Sequence, residues 1–195
     1  MKRIICFLVL IVSGIFFISC TEEGWVKLRA YWEERSFSET HTGKGTLAFT
    51  AEGMKVHQSM PYFMPPGTAY WTIIGDNQIK IMAFLNNKAF HDISLVFPAE
   101  ELKTDAIIHP EADLRYFYKT KPQANNPLRL RLYDNVTVSD AVINITFYEK
   151  DIISGRFTLE GEYADSTGKF HVVDIKDGIF DLAFEIIGET TGYWK

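Results

Sequence analysis

Cysteine is nearly absent: the chain holds two, Cys6 and Cys20, both near its amino terminus. A fold stapled by disulfides is therefore excluded, as is a cysteine cluster of the kind that holds zinc. Histidine is sparse and scattered. His41, His57, His91, His109 and His171 form no HExxH motif and no i, i+4 pair, so no helical zinc face is written into the chain. No G-x-S-x-G elbow and no glycine-rich phosphate loop occur. An excess of basic charge is missing as well; the formal net charge is −5. Without Lys2 and Arg3 of the first 19 residues, 18 basic stand against 25 acidic residues, or −7. That balance disfavours nucleic acid and anionic lipid surfaces as partners. A continuous apolar run of about 20 residues, the length that spans a bilayer as a helix, is also lacking.

What the chain has is aromatic and apolar weight. Fifteen Phe and nine Tyr accompany many Ile and Val, and 47% of the residues are hydrophobic against 23% charged. This composition suits a packed sheet structure of one domain.

The amino terminus reads as an address. Met1-Lys2-Arg3 is a short positive region, Ile4 to Ile18 is almost wholly apolar, and polarity begins at Thr21-Glu22-Glu23. This is the layout of a secretory signal, with an uncleaved signal anchor as the competing reading. Phe17-Ile18-Ser19-Cys20 resembles a bacterial lipobox, with Phe17 where leucine is usual. The resemblance implies cleavage after Ser19 and lipidation of Cys20. Each buried methylene contributes about 0.8 kcal/mol, and one chain alone anchors only marginally, so several acyl chains are what a stable anchor requires. Thr21, in place of Asp, resembles the sorting pattern for the outer membrane. Glu22-Glu23 resembles the short acidic export signals of surface lipoproteins, and both a surface-exposed and a periplasm-facing domain remain open.

The expected organisation is a signal peptide over 1–19, a lipidated tether over 20–44, one β domain over 45–187 and a tail over 188–195. Within the tether, Val26, Leu28, Ala30 and Trp32 alternate as in an edge strand, while Trp25, Leu28 and Trp32 also fit one face of a helix. Both readings stand. From Gly45 the pattern is strand, turn, strand. Glu52-Gly53, Gly75-Asp76-Asn77, Glu149-Lys150-Asp151 and Thr167-Gly168 are expected turns. So are Asp134-Asn135 and Asp177-Gly178. Lys121 to Pro127 is an expected loop. His91, Ile93, Leu95 and Phe97 are expected on one face of a strand, with Phe157 and Phe180 in the core. Gly155, within a strand, predicts a bulge or a close backbone approach. Short strands at regular spacing predict an all-β antiparallel sandwich, with a barrel as the alternative.

Over Val142–Phe184 the chain carries Tyr148-Glu149, Ile153-Ser154-Gly155-Arg156-Phe157, Thr167-Gly168-Lys169 and Asp177-Gly178-Ile179-Phe180-Asp181. This series resembles the carboxy-terminal signature of a family of Bacteroidota-type lipoproteins with no assigned activity. The resemblance implies an envelope location and a β fold and carries no chemistry.

Two clusters draw a functional reading. Asp174, Asp177 and Asp181 offer oxygen ligands, but their spacing fits no EF-hand loop, and no metal or other cofactor is expected. The proline loop Met60–Gly67, with Tyr62 and Phe63, runs into Tyr70 and Trp71. Aromatics on a rigid loop suit stacking on sugar rings or gripping a protein, so these four residues are the expected ligand contacts. The expected function is a non-catalytic binding module at the cell envelope, for a glycan, a small ligand or a protein, held to the membrane through Cys20. The alternatives are a structural or assembly component of the outer membrane and, less favoured, a small hydrolase.

Overall fold

Alternating apolar and polar residues, with β-branched and aromatic side chains on the apolar positions, leave the chain little choice but half-buried strands. The computed structural model describes residues 37–58, 69–85, 90–123 and 126–185, with backbone alone over 117–133. Among the described residues, eleven strands follow in chain order. They are β1 (Thr46–Ala51), β2 (Met54–His57), β3 (Ala69–Ile74), β4 (Gln78–Phe84), β5 (Phe90–Pro98), β6 (Ile107–Ile108), β7 (Glu111–Gln123), β8 (Asn126–Asn135), β9 (Thr137–Glu149), β10 (Ile152–Ala164) and β11 (Phe170–Ala183). A 3₁₀ turn, Ala99–Glu101, follows β5.

Two antiparallel sheets result. One has the order β2-β1-β11-β10-β9-β6 and the other β3-β4-β5-β7-β8. The sheets are not closed on each other, so the fold is a sandwich and not a barrel. They touch through isolated bridges at Gln58–Leu85 and Trp71–Phe184. The core lies between them. Phe49 of β1, fully buried, meets the edges of Phe90 and Phe157 at 6.2 and 6.0 Å, and Ile81, Leu95, Ile143 and Leu182 fill the space around them.

Several expected turns are present. Glu52 and Gly53 both have positive φ, as do Gly75 and Asn77, Lys150, and Gly168. Gly155 sits at a bulge where the β9–β10 register shifts. A Cβ there would lie 2.3 Å from the Asn144 carbonyl oxygen and 2.7 Å from the Phe180 ring. Both halves of the expectation for this glycine therefore hold.

Other expectations are corrected. Asp177-Gly178 is no turn; β11 continues through it, with a bulge at Lys176–Asp177. Gly178 is required because the Phe157 ring packs against its backbone, where a Cβ would fall 2.6 Å away. Asp177 instead accepts from the Thr50 backbone N–H at 2.7 Å and the Thr50 hydroxyl at 2.5 Å. The loop expected over 121–127 is mostly strand, since β7 ends at Gln123 and β8 begins at Asn126. Asp134-Asn135 still belongs to β8. His91 leaves the face of Ile93, Leu95 and Phe97 because a register shift between Phe90 and Asp92 turns Phe90 inward.

Residues 38–45, expected as tether and loop, lie against the sheet. Buried Asp181 binds them: one carboxylate oxygen accepts from the Thr40 hydroxyl (2.7 Å) and the Thr42 N–H (3.3 Å), the other from the Gly43 N–H (2.7 Å) and the Ser154 hydroxyl (3.0 Å). Burial works against this charge, but the hydrogen bonds outweigh it and hold the carboxyl below its ordinary pKa.

Candidate functional site

The chain changes sheets at Val136. β8 belongs to one sheet and β9 to the other, with buried Val136 between them donating its N–H to the Leu114 carbonyl at 2.7 Å. Gly161 on β10 leaves room for this corner, as a Cβ there would lie 2.7 Å from the Thr137 carbonyl oxygen and 2.8 Å from Val136. The bend opens a cleft of about 430 Å³ at this end of the sandwich. Asp134, Asn135, Thr137, Glu162, Asp165 and Ser166 line it, and Tyr116, Tyr163 and Phe170 supply the rings.

The floor is rigid. The Tyr116 hydroxyl donates to the Ala164 carbonyl. Its ring lies 4.2 Å from that of Tyr163, and Tyr163 in turn stacks on His171 at 5.0 Å, nearly parallel at 10°. The Tyr163 hydroxyl donates to the Glu52 carboxylate, 3.1 and 3.2 Å from its two oxygens. Burial, then the Glu52 charge and hydrogen bond, push the Tyr163 phenol up to about 12, so it remains a neutral donor at physiological pH.

His171 is held between carboxylates, with Nδ1 3.3 Å from Glu52 and Nε2 2.9 Å from Asp165. A ring protonated on both nitrogens donates to both acids, and a neutral ring to one. Either way both nitrogens face the protein, so the imidazole acts as a strut and presents no nitrogen to a ligand in the cleft. Asp165 also accepts from the Thr167 hydroxyl (2.6 Å) and from the backbone N–H groups of Thr167 (2.8 Å) and Lys169 (3.2 Å). The Thr167 side chain first, then His171 and the backbone donors, hold its carboxyl well below the usual range.

One ring at the cleft is not tied down. Phe170 is 71% exposed, beside Asp165 and Ser166 in the lining. A bare phenyl face next to carboxylate, amide and hydroxyl groups is a mixed surface. It offers apolar stacking area together with hydrogen-bond acceptors and donors.

The residues singled out by sequence fall elsewhere. Trp71 is only 4% exposed and faces the core, a correction to its expected place in a contact patch. Its indole N–H donates to the Asp151 carbonyl at 3.1 Å, and its ring packs on Phe184 at 4.7 Å and edge-on to Tyr148 at 6.3 Å. Tyr70 is half-buried and donates its hydroxyl to the Met82 sulfur at 3.4 Å. Tyr62, Phe63 and Cys20 lie outside the described residues. The three aspartates do not converge: Asp174 pairs with Lys176 at 2.8 Å, Asp177 holds Thr50, and Asp181 holds residues 40–43. Among the described residues no group of three His, Cys, Asp or Glu is placed to ligate a metal.

Sequence reasoning missed the cleft itself. The Asp134-Asn135 and Asp165–Lys169 segments carried visible turn signals, and an aromatic residue directly after the second was the one available hint. Comparison of the chain with family models, with characterised proteins and with solved structures finds no match.

Proposed function

We propose that this chain is a lipid-anchored protein of the cell envelope whose sandwich is a non-catalytic binding module, and that its cleft takes a glycan. The lipobox-like Phe17–Cys20 segment supports the anchor and the address. The observation that carries the ligand class is the exposed Phe170 ring at the rim of a polar cleft. Sugar rings present C–H faces to an aromatic platform and hydroxyls to carboxylate and amide groups, and this cleft supplies both. A hydrolase reading gains no support from His171, whose two nitrogens are engaged by Glu52 and Asp165.

The test is a glycan array probed with the detergent-solubilised protein and with Phe170→Ala. Binding to at least one glycan, weakened about tenfold or more in the variant, supports the reading; the loss of a well-placed aromatic contact is of that order. An array on which the native protein binds nothing, or on which both proteins bind alike, refutes it. The anchor has its own test: Cys20→Ala should abolish palmitate labelling and release the protein from membranes.

A further inference from the structure

β11 is paired with β10 from Ala164–Phe170 to Ile152–Ala183, broken by one bulge where Lys176 and Asp177 stand opposite Thr158. On its other side it is paired with β1 only over Ile179–Asp181. Beyond that point Asp177 replaces the sheet ladder by binding the backbone N–H and hydroxyl of Thr50 through its side chain. β1 then departs, and its last turn sends Glu52 to Tyr163 and His171. Among the described residues, no strand pairs with β11 on this side from Phe170 to Lys176. Every second residue of an antiparallel strand directs its N–H and C=O away from the neighbour it is bonded to. A row of backbone donors and acceptors is therefore presented along this stretch.

Natural sheets blunt such edges with proline, lysine, bulges or inward charges. This stretch has no proline, its bulge falls only at its far end, at Lys176–Asp177, and its single lysine, Lys176, is tied to Asp174. It carries instead two apolar side chains on the outer face, Phe170 at 71% and Val172 at 73% exposure. Beside them on that face stand Glu160 and Glu162, both exposed and directly opposite Asp174 and Val172 in the β10–β11 register.

We infer that the Phe170–Lys176 edge is a docking site for an extended, basic peptide segment of another protein, which adds to the sheet as a strand. The open ladder supplies main-chain hydrogen bonds. Phe170 and Val172 give apolar contact to alternate side chains, and the acids select lysine or arginine, whose methylene stems cover apolar surface while their charges reach the carboxylates. A second copy of this chain fits less well, since it would bring Glu160, Glu162 and Asp174 against their like. The site shares Phe170 and Glu162 with the cleft lining but runs along the edge of β11, and it does not depend on the cleft binding a glycan.

The probe is a fluorescein-labelled decapeptide of alternating valine and lysine, titrated by fluorescence anisotropy against the full chain in non-ionic detergent. Two further peptides carry N-methyl groups on one or the other alternate set of amides, which leaves side chains and charge unchanged. The expected result is binding of the parent, retained by one methylated peptide and lost by the other, because only one set faces β11. Val172→Lys and Val172→Ser, at an exposed position that leaves the core intact, should weaken parent binding, the lysine variant about tenfold or more. No binding of the parent overturns the proposal. So does equal binding of all three peptides, which would be attraction by charge alone. A concentration-dependent dimer that Val172→Lys dissociates, with no peptide bound, also overturns it and assigns the edge to a second copy.

Discussion

Asp181 is a charge placed where its removal can be read without changing shape. Its side chain is fully buried and accepts from Thr40, Thr42, Gly43 and Ser154. Asp181→Asn keeps the volume and loses the charge. The amide oxygen can still take the Gly43 N–H and the Ser154 hydroxyl. The amide nitrogen then stands where the second oxygen was, facing the Thr42 N–H, and two donors oppose each other. Hydrogen bonds to a charged acceptor contribute about 1.5–3 kcal/mol against about 0.5–1.5 for neutral pairs, so a loss of about 3 kcal/mol follows at neutral pH. Urea unfolding measures it, and hydrogen exchange should show residues 38–45 losing protection first. The pH dependence has a definite sign. The folded-state carboxyl lies below its ordinary pKa of about 3.9. Its stabilisation is thus present above that ordinary value and is lost as pH falls through the folded one. The gap between native and variant protein should be widest near neutrality and shrink in acid. Equal stability at neutral pH, or a gap that persists in acid, refutes the reasoning.

Gly155→Ala drives a methyl into the Asn144 carbonyl and the Phe180 ring, so a loss of about 3 kcal/mol is expected in urea unfolding, with no change at the exposed turn if Gly168 is varied to Asn instead. Glu52→Gln removes the charge beneath Tyr163, and the phenol should titrate below about 12, which a phenolate absorbance titration referenced to Tyr163→Phe reads directly. Trp71→Phe removes the hydrogen bond to Asp151 and part of the ring contact to Phe184. It should cost about 1–3 kcal/mol of stability and leave glycan binding unchanged, because the ring faces the core.

The strands were legible because a strand announces itself within a few residues. Leu47 and Phe49, or Phe157 and Leu159, reveal their buried face by alternation alone. Turns that need positive φ, such as Gly75-Asp76-Asn77, are equally local. Asp177-Gly178 shows where this ends. A glycine can stand in a sequence because the backbone bends there or because a distant ring lies against it, and here the ring is Phe157. The same limit hid the cleft. Tyr116, Asp134, Tyr163 and Phe170 come from four strands, and only the change of sheet at Val136 brings them to one place. Trp71 misled for a related reason. A neighbouring proline loop suggested the surface, whereas the pairing of β3 turned the indole inward, to the carbonyl of Asp151.

The pairing of β1 with β11 has a consequence in time. β1 lies between the short β2 and β11, and the Asp181 clamp on residues 40–43 comes from β11 as well. The earliest described strand therefore has its partner β11 only after nearly all the described chain has been made. Loop closure over such a separation is slow, and the ordered state cannot form piecemeal from the amino terminus. On the export route proposed above, this delay is useful. Under that proposal, a chain that cannot complete this sheet until β11 arrives would stay threadable while it is passed across a membrane, and would lock once β11 is through.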